Sequence, residues 1–197
     1  GVWQHHQHVS YCFFGSKKHL MENIFQSRRM PFYQFGEMLH LKCIPTEYWV
    51  PFICSRFEKY GKKISEEYAA RICHTVKNYS SYVQQLAWNV MAETEIEVNE
   101  ESFTEGFKAL LEQNSSLFIQ QTEGLTTYQL NFIRLLCNGI HSGFNTRSVV
   151  EQYSLGSKSN VDRIKKCLID RELITIEKEG VFLADCVFEL WFKRNMM

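Results

Sequence analysis

The residues whose types and spacing could do chemistry are few and scattered. The stretch "SKSNVDRIKK" at 157–166 carries Lys158, Ser159, Asn160, Arg163 and Lys166 on one helical pattern, a set able to face phosphates or a major groove. Asp162 and Asp170 dilute that charge, and Glu177 and Glu179 make the segment that follows acid-leaning. Ser16 follows Gly15 at the end of an apolar run, where a helix pattern begins. A serine there caps a helix, and the carboxyl end of a parallel strand is also where ligands bind. Arg28 and Arg29 close the helix pattern and suit the negative end of its dipole. The opening "HHQH" at 5–8 lacks nearby carboxylates or a fixed helical pairing, so it reads as the tail of an element and not as a metal site. No Ser-His-Asp or Cys-His arrangement follows from spacing. No GxxxxGK[ST] occurs in the 197 residues, so nothing in them can cradle β- and γ-phosphates.

Those residues must be carried by something, and the composition is that of a globular chain: 45% hydrophobic, 14% aromatic, with 3 Pro and 10 Gly. Charge balances overall but not locally. Residues 1–45 hold five Lys and Arg against two Asp and Glu, residues 46–125 seven against twelve, and residues 126–197 ten against eight. Such slight excesses argue against a dominant nucleic-acid binder, which needs a concentrated basic surface. Seven cysteines, none in a CxxC pair and each in apolar sequence, read as buried free thiols of a reducing compartment. No apolar run is long enough to cross a bilayer and no signal-peptide pattern opens the chain, so the expected location is cytoplasmic, with no membrane partner.

Residues 9–14, "VSYCFF", have the near-continuous apolar character of a strand covered on both faces. The helix pattern "KKHLMENIFQSRR" follows, with Leu20, Met21, Ile24 and Phe25 on one stripe, and "FGEMLHLK" at 35–42 suggests a second strand. One βαβ unit cannot stand alone, which implies either the remnant of a larger sheet or a small αβ cap on the helical remainder. From Pro45 the pattern is helical. Thr46 is the expected cap of "TEYWVPFICSRFEK", whose Tyr48, Trp49, Phe52, Ile53 and Phe57 recur at helical spacing. Ser65 caps the next helix, with Tyr68, Ala69, Ile72 and Val76 inward, then "SYVQQLAWNVMAE" and a long helix opening at Asn99 complete a four-helix bundle. After residue 122 come three further helices and the alternation "LITIEKEGVFLAD" around a turn, the layout of a winged helix-turn-helix.

The order of these parts, with "FFGSKKHLMENIF", "RRMPFYQFGEMLHL", "SYVQQLA", "SNVDRIKKCLIDRELI" and "LADCVFELWFKR" as the carrying stretches, resembles the C-terminal part of the archaeal-type ATPases, P-loop NTPases of the AAA+/STAND kind. The resemblance implies a mainly α chain in three parts: 1–44, a βαβ remnant of the nucleotide-binding core; 45–122, the helical lid; 123–197, the winged helix. It implies that the P-loop and an acidic metal-binding strand lie in a missing N-terminal region. ATP and Mg would then serve the full-length parent, with no cofactor for these residues alone. Ser16 falls at the sensor position, as an alternative to a simple cap. Arg28 and Arg29 fall where an arginine finger is placed, as an alternative to dipole partners. "KNYSSYVQQLA" matches a lid segment that contacts adenine, nominating Ser80 and Tyr82. Ser80 stands where relatives carry proline, and that departure weakens the adenine assignment. The expected role is a regulatory or interaction module, not catalytic by itself, that contacts a protein partner. A third reading, drawn from the exposed βαβ faces themselves, is a homo-oligomer formed by pairing with a second copy. The alternative is a winged-helix regulator that binds DNA.

Overall fold

Two serines and an asparagine set the frame of the helical region. A computed structural model of the chain describes residues 6, 8–15, 18–34 and 36–197. It divides into two compact units, Gly1–Lys42 and Cys43–Met197.

In the first unit, helix α1 spans Lys18–Gln26. Phe13, Phe25 and Phe32 form an aromatic cluster beside it, with ring centroids 5.7–5.9 Å apart. The strands expected at 9–14 and 35–42 are not formed among the described residues. Phe14 is 93% exposed, and Leu39 and Leu41 lie in solvent. A strand exists through the neighbour it bonds to, and the described residues of this unit supply none. Cys12 and, at the start of the second unit, Cys43 are exposed, against the expectation of buried thiols. Cys73, Cys137 and Cys186 are buried, and all seven cysteines are free.

The second unit opens with four helices: α2 (Thr46–Lys59), α3 (Glu66–Thr75), α4 (Ser80–Glu93) and α5 (Glu100–Thr122). Ser65 Oγ accepts the Tyr68 amide and caps α3. Asn99 and Ser102 form a reciprocal capping box on α5, at 2.9 and 3.1 Å. Thr46 does not cap α2: Pro45 holds the cap position, and the threonine hydroxyl donates to Asn78 Oδ1 at 3.1 Å. The buried stripe of α2 is Trp49, Ile53 and Phe57, narrower than the sequence suggests, since Tyr48 is 67% exposed and Phe52 lies at the surface. Helices α4 and α5 approach closely at Gly106, where a Cβ would lie 2.6 Å from Val90 N. Only glycine allows that backbone approach.

Helices α6 (Thr127–Cys137), α7 (Arg147–Gln152) and α8 (Lys158–Asp170) follow, then the antiparallel hairpin β1 (Ile174–Glu177) and β2 (Gly180–Leu183), joined by Lys178–Glu179. A last helix, α9 (Cys186–Met196), packs on α5 and α6. The chain is thus mainly helical with a C-terminal winged helix. Its core runs continuously from Trp49 and Ile53 through Leu110 and Phe118 to Val161, Phe188 and Phe192.

Candidate interaction face of the winged helix

Three side chains at helical spacing orient α8. Val161, Ile164 and Leu168 are buried, which turns Lys158, Ser159, Asp162, Arg163 and Lys166 outward. Ser157 Oγ accepts the Asn160 amide at 3.3 Å and caps the helix. Asn160 is half-buried, and its Nδ2 donates to Leu155 O at 2.8 Å, so this side chain fastens the turn before α8. The other four expected residues, Lys158, Ser159, Arg163 and Lys166, face solvent. Among the described residues, Lys158, Arg163 and Lys166 form no ion pair. Lys165 lies over the Phe144 ring at 5.8 Å.

The hairpin is pinned on one edge. The Val181 amide donates to His141 O at 2.9 Å, and His141 Nδ1 donates back to Val181 O at 3.0 Å. The imidazole stacks on Phe182 with centroids 4.3 Å apart. Gly180 has φ 146°, and a Cβ there would stand 2.4 Å from His141 O. The exposed tip carries Glu177, Lys178 and Glu179, with Ile176 beside them.

The residues nominated for nucleotide chemistry fall in both units of the chain. Ser16 lies outside the described residues. Arg28 and Arg29 are exposed in the turn after α1, past the helix end at Gln26. Ser80 opens α4 half-buried, and its carbonyl accepts Gln84 Nε2 at 3.1 Å. The Tyr82 hydroxyl donates to Asp185 Oδ2 at 2.5 Å. Burial, reinforced by that bond, raises the Tyr82 pKa, so the phenol is held as a donor. A recess of about 470 Å³ at the α4–α5 connection is lined by Glu93, Glu95, Glu97, Glu101 and Glu105. Among the described residues no group of three His, Cys, Asp or Glu is placed to hold a metal ion, and no helix is long and apolar enough to cross a membrane.

The sequence reading missed α9. Its signals were Asp185 as the cap and Lys193 and Arg194 in the last turn. Asp185 Oδ1 accepts the Val187 and Phe188 amides at 2.8 and 3.0 Å. Glu189 takes Lys193 Nζ at 2.6 Å and Lys77 Nζ at 2.8 Å. Burial pushes the Glu189 carboxyl up, but the bonds from Lys193 and Lys77 outweigh it and its pKa is lowered.

Residues 116–194 match a family model described as "Probable winged helix domain", a segment that begins within α5 and ends within α9. The chain is similar in fold to the Walker-type ATPase paby2304 of Pyrococcus abyssi, with a TM-score of 0.61 and 15% identity. The likeness covers 88% of this chain and 50% of the ATPase chain, so the residues described here span about half of that protein. No curated protein matches the chain.

Proposed function

We propose that the chain is the lid and winged-helix portion of an ATP-binding ATPase of the AAA+/STAND kind, acting as a regulatory and protein-contacting module that does not hydrolyse ATP by itself. The observation that carries this reading is the fold likeness to a Walker-type ATPase over 88% of this chain. In the parent, ATP and Mg would bind residues outside this stretch. Ser16 would sense the γ-phosphate, Arg28 and Arg29 would serve a neighbouring subunit, and Ser80 would lie near adenine. Tyr82 is committed to Asp185 and would serve there by packing.

Lys158, Arg163 and Lys166, exposed and without an ion pair among the described residues, favour a second reading, a regulator that binds DNA. Against it stand the acidic tip at Glu177 and Glu179 and the structural use of Asn160. Duplex DNA titrated at two salt concentrations separates the two. The module reading expects weak binding, and nanomolar affinity with a steep salt slope would replace it with the regulator. Magnesium-dependent ATP turnover by these 197 residues would overturn the statement that they do not hydrolyse ATP by themselves. An upstream reading frame without a P-loop would overturn the ATPase part of the proposal.

A further inference from the structure

We propose that the turn joining α3 to α4 and the first turn of α9 form a latch that transmits displacement between the helical group and the wing. The turn passes through Lys77 at φ 50° and Asn78 at φ 59°, two successive left-handed residues that are not glycine. That conformation is uncommon for residues with a Cβ, asparagine being the more tolerant of the two. Here both are held, from different sides. Thr46 at the start of α2 donates to Asn78 Oδ1, while Lys77 Nζ reaches Glu189 on α9 at 2.8 Å. The Val76 carbonyl accepts the Tyr79 amide at 3.0 Å and Cys186 Sγ at 3.3 Å. One carboxylate then serves both sides of the joint: Asp185 Oδ1 caps α9 while Oδ2 accepts Tyr82.

Asp185 stands two residues past Leu183, where β2 ends, and the Ala184 amide closes the hairpin base on Leu173 O at 3.0 Å. A shift of the wing therefore moves Asp185, which must drag Tyr82 with it, break the bond to Tyr82 or release the cap of α9. Conversely, a pull on residues 77–82 reaches the wing through the same carboxylate. The left-handed pair is also tied to α3 by its own amides, Lys77 N to His74 O at 3.1 Å and Asn78 N to Cys73 O at 2.9 Å, so the side-chain bonds at Tyr82, Lys77 and Asn78 are the parts that yield. The device rests on this geometry and not on the ATPase reading, under which a nucleotide would be one agent pulling the turn. Failure of ATP binding would leave the latch standing.

Hydrogen exchange on the 197-residue protein tests it, using Tyr82→Phe to remove the bond and keep the ring, and Ile53→Val as a core change in α2 away from the turn. The expected result for Tyr82→Phe is exchange at the amides of 180–184 faster by about threefold or more, with α2 at its original rates. Ile53→Val should instead loosen α2 and leave the wing unchanged. The latch is refuted if Tyr82→Phe quickens only α4 and the first turn of α9. It is equally refuted if both variants quicken the wing alike, which would signify general loss of stability. Should Tyr82→Phe not fold, Glu189→Gln carries the same comparison with a smaller perturbation.

Discussion

Between α4 and α5 the polar side chains face one another. Gln85 Nε2 and Asn89 Nδ2 both donate to Gln113 Oε1, at 2.9 and 3.0 Å, and Asn89 is buried. Arg71 on α3 closes on Glu100 with its two terminal guanidinium nitrogens, at 2.5 and 2.8 Å, over the Phe103 ring. In the winged helix the arrangement is reversed: α8 keeps Lys158, Arg163 and Lys166 out of every internal pair among the described residues. Both regions bury the same kind of apolar stripe, so the difference lies in what the polar face is for. In the helical group it fixes which helix meets which. On α8 it takes no part in such pairing among the described residues. An inventory of residue types does not separate these uses; only the pairing does.

Substitutions can break or sharpen that contrast. The largest effect belongs to the core that both regions share. Phe118 on α5 contacts Phe188 and Trp191 of α9, with centroids 5.5 and 5.7 Å away. Phe118→Ala should cost about 3–5 kcal/mol by denaturant unfolding and should loosen both regions together. Gly106→Ala forces a methyl against the Val90 backbone and should cost about 1–3 kcal/mol, located first in α4 and α5 by hydrogen exchange.

Smaller effects lie at the joint and on the surface. Glu189→Gln should cost about 1 kcal/mol at neutral pH, the side chain being 18% exposed and its lysine partners open to solvent screening. Because the folded carboxyl has the lower pKa, the unfolded chain takes up its proton first on acidification. The stabilisation is then complete above about pH 4.3, the unfolded carboxylate value, and fades as pH drops through the folded one. Denaturant midpoints measured from pH 6 downward should show that loss in the parent chain and not in Glu189→Gln. Replacing Lys158, Arg163 and Lys166 by alanine should change stability by no more than about 0.5 kcal/mol each, since none holds the fold. A larger loss would place α8 with the helical group. Last, a thiol reagent at neutral pH should label exposed Cys12 and Cys43 and spare Cys186, which burial pushes up to about 12. Mass spectrometry of the labelled chain reads this directly.

Much of this architecture could be read from the residues. The stripe Val161, Ile164 and Leu168, the caps Ser65 and Asn99, and the hairpin around Lys178–Glu179 follow from period and turn chemistry alone, since each is a local property. The failures are non-local. "VSYCFF" has the composition of an inner strand, but strand formation depends on a partner that composition does not supply. Helix α9 was hidden because Cys186, Val187, Phe188, Trp191 and Phe192 are all buried, and a helix enclosed on several sides shows no clean stripe. The free face of α8 was legible in outline. That Asn160 belongs to the scaffold was not, because its partner Leu155 O is defined only once the preceding turn has closed.

The contact between Gly180 and the His141 carbonyl bears on how such a wing can change over generations. Every replacement for glycine adds a carbon at the one spot where 2.4 Å of space remains, so heredity has no gradual step at this codon. A lineage keeps the residue or must re-aim the entire hairpin, and a survey of natural variants should find this position nearly immovable beside a freely drifting tip.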